Sequence, residues 1–314
     1  MSVEQLPLFP GDQPQVRVHP LPLTSDSSLT TAMEHFHDYM IRQDFAENTI
    51  KSFLGDLSLF QRHLQGDRAI GQISTRDLRD LLHWLQHERG APCSPKSYAR
   101  RLTTLKVFFG WLADSGVLPA DPAAPLSHKP VQTPLPQILY DDQVDQVLAV
   151  TRRMMAAEKP DPRPHLLVTL VLHTGIKKQE CMAIKLAHID TSDPKGAVVH
   201  IRYDRPQMQY KERRLRLPPG WAEALALYRK VYEPQEFLFP CTARNLEYVL
   251  TGVAKEAGLP APGGLSFEML RWTCAVRDYR ARMDPVQLRR KLGLSEMSWQ
   301  EAEPKIIRLA EPPL

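Results

Sequence analysis

Hydrophobic positions between residues 29 and 118 repeat at helical spacing. Four stretches carry apolar residues every three or four positions, which is typical of amphipathic helices. They read LTTAMEHFHDYMIRQ, AENTIKSFLGDLSLFQRHLQ, STRDLRDLLHWLQHERG and SPKSYARRLTTLKVFFGWLADSG. Capping residues precede three of them, and Gly90 and Gly116 follow two, as expected at helix ends. The pattern predicts a domain of four or five helices over residues 29–118.

The last of these helices is predicted to place polar residues opposite its apolar stripe. The stripe consists of Tyr98, Leu102, Leu105, Phe109 and Leu112. Lys96, Arg100 and Thr103 fall roughly on the other side, which predicts an exposed face. Such a face is either a solvated charged surface or one that lies against DNA, with Lys and Arg on phosphates and Thr on a phosphate or base edge.

Two proline-rich segments divide the chain. Residues 1–28 have no sustained hydrophobic period, which predicts a disordered or extended tail. Residues 119–137 contain several prolines and no glycine, which predicts a semi-rigid linker. Residues 138–314 combine helical patterns with two strand patterns, AVVHIRYD and YKERRLRLP. We therefore expect a mainly α protein whose second domain is mixed α/β, with one small antiparallel sheet.

The composition narrows the class of protein. With 43% hydrophobic and 24% charged residues, the 314-residue chain has the composition of a soluble globular protein, and its net charge of +4 permits a polyanionic partner without requiring one. The four cysteines stand singly at Cys93, Cys181, Cys241 and Cys274, which predicts reduced core residues in a cytosolic protein. No export leader or apolar run of membrane-spanning length occurs, so we expect neither secretion nor membrane insertion.

Six segments in order resemble the tyrosine recombinase family, the phage-integrase and Xer-like site-specific recombinases. In residues 29–118 the second and fourth helical stretches resemble the core-binding, SAM-like domain of that family. In residues 138–314 the segments LVTLVLHTGIKKQECMAIKLAHID, YKERRLRLP, LSFEMLRWTCAV and LRRKLGLSEMS resemble its TGxRxxE motif, its β-hairpin, its HxLRH helix and its LGH segment. The resemblance implies the tyrosine recombinase fold from about residue 29 to 303.

The resemblance also implies a chemistry. In the family a tyrosine attacks a DNA phosphodiester and stays joined to the 3′ phosphate, while two arginines hold the charge that builds on the phosphate oxygens. A hairpin lysine protonates the departing 5′ oxygen, and histidines assist proton transfer. No metal or other cofactor is required, because the guanidinium groups supply the electrostatics.

Carried onto this sequence, the catalytic set is degenerate. The first arginine position is Lys177, the second arginine is retained as Arg271, and the two histidine positions are Glu268 and Leu294. The family's tyrosine position falls near Glu303. No tyrosine occurs from residue 280 to 314, and Tyr279, on the helix of Arg271, is interpreted as a packing residue. The hairpin lysine position falls on Tyr210 or Lys211 when counted from Pro218, or on Met208 when KER is matched to the family's turn.

The leading hypothesis is a DNA-binding member of the family that encloses duplex DNA without cleaving it. Phosphate contacts need only positive charge, and the chain retains a set of candidates for them. The set comprises Lys51, Lys96, Arg100, Arg101, Lys106, Lys177, Lys178, Lys211, Arg213, Arg214 and Arg271. The alternative is an active recombinase with another nucleophile, such as Ser295 or Ser298, or with a tyrosine from a partner chain. The family also suggests self-association on DNA and a cytoplasmic, nucleoid-associated location.

Two smaller features of the sequence each allow more than one interpretation. The stretch QLPLF, with Gln5, Leu6, Leu8 and Phe9, resembles the short peptide that docks bacterial replication proteins on the sliding clamp, although such a match also arises in unstructured leaders. His83 and His87 have the four-residue spacing of two metal ligands on a helix, but no third ligand stands nearby. We interpret His83 and His87 as surface histidines and predict no metal site.

Overall fold

A computed structural model describes residues 22–127, 134–260 and 264–311. Contacts divide the chain into two units, with the boundary between Thr133 and Pro134, and each unit is described by itself. None of the helices in the described ranges is long and apolar enough to cross a membrane. The candidate sliding-clamp peptide, Gln5–Phe9, lies outside the described residues.

Within its described residues, the first unit contains four α-helices: α1 (Leu29–Arg42), α2 (Glu47–His63), α3 (Thr75–His87) and α4 (Pro95–Asp114). Two of the three predicted caps are confirmed, because the Ser74 and Ser94 hydroxyls accept from backbone N–H groups of the first turns of α3 and α4. The cap predicted for α2 at Asn48-Thr49 is wrong, since that helix begins at Glu47 after Ala46, which has no side-chain capping bond. Aromatic side chains fill the centre, where Phe36 packs edge-on against Phe108. The predicted helical domain is confirmed.

This unit extends beyond the four helices at both ends. Leu23 is buried in the core, and the Ser27 carbonyl accepts from the Ile70 N–H at 2.9 Å. At the other end Leu126 is buried, and the Thr75 hydroxyl donates to the Pro122 carbonyl at 2.7 Å. Residues 22–28 and 119–126 therefore pack on the helices rather than forming tail and linker, because their apolar side chains find room at the edge of the core.

The second unit combines eight α-helices with a three-stranded sheet in its described part. Its elements are α5 (Asp141–Met155), α6 (Arg163–Thr174), α7 (Lys178–Met182), β1 (Ile189–Asp190), β2 (Val198–Ile201), β3 (Arg213–Arg216), α8 (Trp221–Tyr232), α9 (Ala243–Glu256), α10 (Phe267–Arg280), α11 (Pro285–Lys291) and α12 (Glu296–Ala310). The strands are antiparallel in the order β1–β2–β3, with Val199 opposite Leu215. The small antiparallel sheet is confirmed.

The connection between β2 and β3 differs from the prediction. The sequence pattern starts the second strand at Tyr210, but residues Pro206–Lys211 form a 3-10 helix and the strand begins at Arg213. Pro206 fixes φ at the start of this turn and has no N–H to give to a sheet, so the chain turns before it pairs. Tyr210 and Lys211 therefore stand on a turn, beside the sheet.

Helix α6 is the centre of the second unit. It packs against α5 and α10, and nearly every one of its side chains is buried. The helix ends at Gly175, whose φ of +61° is left-handed and favours glycine. A Cβ atom at this position would lie 2.7 Å from Leu292 Cδ2 and 3.3 Å from Cys274 Sγ. The turn that leads into Lys177 thus depends on the absence of a side chain.

Replacing Gly175 with alanine tests this close packing. We expect Gly175→Ala to lower the free energy of unfolding by about 3 kcal/mol, of which about 1 is left-handed strain and the rest overpacking. Gly258→Ala is the matched control, because Gly258 also follows a helix with φ of +64° but has no atom within 4 Å of the added Cβ. The control should cost about 1 kcal/mol. Equal losses in urea unfolding would contradict the prediction.

Candidate nucleic-acid interface

Lys177 stands at the turn between α6 and α7. Its backbone N–H donates to Glu180 Oε2 at 2.8 Å, so the carboxylate caps the first turn of α7. The side chain is half-buried, and its Nζ lies 3.4 Å from the Gly293 carbonyl oxygen. Arg271 reaches the same turn from α10, since its Nη1 donates to the Gly175 carbonyl. The structure therefore brings the two predicted arginine positions to one place.

Successive carbonyls at the end of α11 each accept from one cation of the site. The pairs are Arg213 Nε to the Lys291 oxygen at 2.7 Å, Arg271 Nη2 to the Leu292 oxygen at 2.7 Å, and Lys177 Nζ to the Gly293 oxygen at 3.4 Å. The last carbonyls of a helix have no partners within the helix and carry partial negative charge. The end of α11 thus gathers and orients three positive groups.

A buried ion pair lies beneath these contacts. Arg213 donates to both oxygens of Glu180, at 3.1 Å from Nη1 and 2.9 Å from Nη2, and the two side chains are only 9% and 3% exposed. The Tyr203 hydroxyl also donates to Glu180. Burial by itself raises the pKa of Glu180, but the Arg213 bonds and charge, the Tyr203 hydroxyl and the Lys177 N–H together lower it below 4.5. Burial and this carboxylate raise the pKa of Tyr203 to about 12.

The site contains more positive than negative charge. Burial lowers the pKa of Lys177, and the positive charges of Arg271, Lys211 and Arg213 lower it further, while Glu180 opposes them. Burial likewise lowers the pKa of Arg271. Three cations, Lys177, Arg213 and Arg271, therefore lie around one buried carboxylate, with Lys211 close enough for its charge to act on Lys177. An added anion would relieve the mutual repulsion of these cations.

Lys177 and Arg271 line a cleft of about 420 Å³. Lys178 and Glu268 line it as well, and each is engaged: Lys178 pairs with Glu247 at 2.6 Å, and Glu268 accepts from Trp272 Nε1 at 2.7 Å. The histidine position thus presents a carboxylate to the cleft, which repels a phosphate and does not supply the imidazole the family uses.

The remaining predicted positions lie elsewhere. Lys211 and Leu294 line a second cavity of about 580 Å³, which shares no lining residue with the first. The Lys211 amine lies 3.8 Å from Met208 Sδ and over the ring of Tyr210. Glu303 is half-buried on α12 and lines neither cavity. Leu294 and Glu303 therefore do not line the cleft of Lys177 and Arg271, whereas Lys211 lines the other cavity and its charge still lowers the pKa of Lys177.

The candidate nucleophiles have structural contacts. Tyr279 packs against the apolar cluster formed by α10, α11 and α12. Ser295 is the N-cap of α12, where its hydroxyl oxygen accepts from the Ser298 N–H at 3.3 Å and lies 3.0 Å from the Ser298 hydroxyl. Nothing in these contacts activates a hydroxyl for attack, since no general base adjoins either serine among its described bonds.

In the first unit, two predicted phosphate ligands turn inwards. Arg100 and Arg101 both contact Asp56 of α2, a buried carboxylate that also accepts from the Thr104 hydroxyl at 3.0 Å. Burial raises the pKa of Asp56, although the two arginines and Thr104 lower it in part. Arg100 was predicted to lie on the exposed face of α4. Its side chain is only 38% exposed, because it pairs with Asp56 of α2. These arginines stabilise the contact between α2 and α4.

The other predicted cations are more accessible. Lys51 is exposed and pairs with Glu47 at 2.6 Å, a surface contact that competes weakly with a phosphate. Lys106 Nζ lies 3.3 Å from the Ala124 carbonyl oxygen. Lys96 on α4 and Arg214 on β3 are exposed. Each unit therefore keeps exposed positive charge, although fewer cations are accessible than the sequence suggested.

The two histidines of α3, His83 and His87, lie next to each other. The His83 and His87 rings lie 4.7 Å apart, and His83 Nδ1 is 3.0 Å from Glu88. Within the described ranges no group of three or more potential ligands could hold a metal ion.

Sequence reasoning missed Glu180, Tyr203 and Asp56. Glu180 is the last residue of the TGxRxxE-like motif and so lies within the segment that carries the resemblance. Its partner Arg213 lies 33 positions away, which the motif does not indicate. Asp56 lies in an amphipathic helix where carboxylates are usually exposed. No local pattern identifies a long-range partner, and only the fold brings these groups together.

Removing the Glu180 carboxylate tests the buried pair. We expect Glu180→Ala to lower the free energy of unfolding by about 3–5 kcal/mol at neutral pH, because Arg213 would remain buried without a partner. The folded-state pKa of Glu180 is lowered, so its contribution is complete above pH 4.5 and is lost as the pH falls through the folded-state value. The difference between wild type and variant in urea unfolding should therefore narrow below that pH.

Glu247→Ala is the control for this experiment, since it breaks only the exposed pair with Lys178. It should leave stability unchanged. A Glu180→Ala protein as stable as this control would show that the buried pair contributes nothing.

Comparison with known proteins gives relatives for both units. Residues 33–116 match the family described as phage integrase, N-terminal SAM-like domain. The XerC tyrosine recombinase of Mycobacterium leprae is 32% identical over 164 residues, 51% of this chain, and the match spans about half of that relative, 54%. The XerC tyrosine recombinase of Lacticaseibacillus casei is 25% identical over 80% of this chain and 87% of its own length.

A solved structure shares the fold. The lambda integrase dimer bound to a COC′ core site superposes with a TM-score of 0.69 at 14% identity, covering 92% of this chain and 80% of that one. Such low identity speaks for the fold alone. The matched N-terminal segment and the similarity to the XerC relatives support the resemblance to the tyrosine recombinase family.

Proposed function

We propose that the chain binds the backbone of duplex DNA through a recombinase fold and does not cleave it. The observation that carries the proposal is the convergence of Lys177 and Arg271 on one cleft, held by the end of α11, in a sequence with no tyrosine from residue 280 to 314. The cations of the fold are present and the attacking group is not.

Binding and cleavage make different demands on such a cleft. A phosphate contact needs a positive group near the backbone, and Lys177 supplies that charge although it lacks the planar fork of arginine. Cleavage further needs a nucleophile and proton-transfer groups. Glu268, Leu294 and Glu303 supply neither the tyrosine hydroxyl nor the imidazoles that the resemblance places at these positions.

The comparisons support a DNA partner. The relatives carry the name tyrosine recombinase, and the lambda integrase neighbour is a dimer on DNA. We extend the proposal to self-association on DNA and to a cytoplasmic, nucleoid-associated location. Docking on a sliding clamp through Gln5–Phe9 stays a prediction from the sequence.

A salt titration of DNA binding tests the proposal. We expect affinity for a random duplex to fall steeply with salt concentration, since phosphate contacts release counterions. Lys177→Met should reduce the slope of log affinity against log salt by about one and weaken binding about tenfold. Lys230→Met, an exposed lysine of α8 outside both cavities, is the control and should leave the slope unchanged. Absence of binding at low salt would refute the proposal.

A covalent-trap assay tests the absence of cleavage. We expect no protein-linked 3′ end after incubation with duplexes that carry a nick-trapped site, followed by denaturation, because the covalent route needs a nucleophile at the phosphate. A recombinase that keeps its tyrosine serves as the positive control on its own site. A covalent adduct would support the alternative, active recombinase, and Ser295→Ala and Ser298→Ala would then identify the attacking group.

A further inference from the structure

Arg213 uses its guanidinium entirely within the protein. Its bonds are Nε to the Lys291 carbonyl at 2.7 Å, Nη1 to Glu180 and to the Lys211 carbonyl at 3.1 Å each, and Nη2 to Glu180 at 2.9 Å. An arginine has five N–H groups in a rigid plane, and these contacts use donors on all three of its nitrogens. With 9% of the side chain exposed, Arg213 is badly placed to hold a DNA phosphate as well.

The guanidinium also occupies the space beside Gly293. A Cβ atom at Gly293 would lie 2.7 Å from Arg213 Nη1 and 2.8 Å from its Cζ, so the plane of the guanidinium lies against a bare backbone. Gly293 has φ of +60° and follows the last turn of α11. The arginine and the glycine therefore fit each other, and neither position accepts a larger group without movement of the other.

Arg213 joins the two segments that orient Lys177. Through Glu180 it contacts the first turn of α7, where the Lys177 N–H is capped. Through the Lys291 carbonyl it contacts the end of α11, where the next carbonyls hold Arg271 and Lys177. One side chain of strand β3 thus contacts both the first turn of α7 and the end of α11.

We propose that Arg213 is a positioning residue, not a phosphate ligand, which ties α7 to the end of α11 so that Lys177 and Arg271 converge on one DNA phosphate. The inference rests on the proposed function for its DNA partner. It removes Arg213 from the predicted phosphate contacts and gives the residue an indirect role in binding.

A double-mutant comparison of salt slopes tests the assignment. Arg213→Met should reduce the slope of log affinity against log salt by about one, as Lys177→Met does, because Lys177 loses its place. Combining the two substitutions should reduce it no further. A drop of about two in the combined variant would overturn the proposal by showing a direct phosphate contact, and an unchanged slope in Arg213→Met would overturn it as well.

Control variants separate positioning from folding. Arg216→Met removes an arginine of the same strand that is exposed and paired with Asp193, and should leave the slope unchanged. Because Arg213→Met leaves Glu180 buried and unpaired, the variant Glu180→Gln with Arg213→Met removes both charges while the amide oxygen can still cap α7. This protein should fold and still show the reduced slope. A slope restored to the wild-type value would refute the role of Arg213 in positioning Lys177.

A measurement without DNA distinguishes this inference from the proposed function. The pKa of Lys177, followed by the pH dependence of acylation of its amine, is lowered chiefly by burial in the wild type. In the Glu180→Gln, Arg213→Met protein the loss of the Glu180 charge lowers the pKa of Lys177 more than the loss of the Arg213 charge raises it, so a rise in this pKa reports lost burial. We expect that rise, and none in Arg216→Met. An unchanged pKa overturns the positioning role, whether or not the wild type binds DNA.

Discussion

The buried pair of Glu180 and Arg213 fixes the arrangement on which the cleft depends. The two side chains are nearly inaccessible, so each charge is stabilised by the other and by hydrogen bonds from Tyr203 and to backbone carbonyls. A charge removed from water in this way is costly to leave alone. The fold therefore holds α7, β3 and the end of α11 together wherever this pair is intact.

The first unit uses a similar arrangement with different residues. Asp56 is buried between α2 and α4, where Arg100 and Arg101 contact it and Thr104 donates a hydrogen bond. In both units arginines that look like a basic surface in the sequence serve as internal partners of a carboxylate. Fewer cations are consequently free to contact a polyanion than the count of 40 Lys and Arg residues suggests.

Local features were predictable from the sequence, and long-range ones were not. The helices of the first unit follow from apolar spacing and from caps such as Ser74, since these depend on neighbouring residues. The predicted start of β3 was wrong, because the alternation of polar and apolar residues continues through Tyr210, whereas the chain turns from Pro206 onwards. The resemblance located Lys177 and Arg271, which do meet. It also grouped Lys211 with them, although Lys211 lines a different cavity, and no pattern revealed the partner of Arg213.

The carbonyl groups at the end of α11 have a consequence for how such a chain changes over time. Lysine, leucine and glycine stand at these positions, and the acceptors are main-chain atoms, so the bonds do not use the side chains at 291 and 292. Position 293 must stay glycine, because a Cβ there would lie 2.7 Å from Arg213. The side chains at positions 294 and 303 take no part in these three hydrogen bonds, so other residues there would leave the carbonyl acceptors in place. The arrangement of the three cations and the chemistry of those two side chains can therefore change independently.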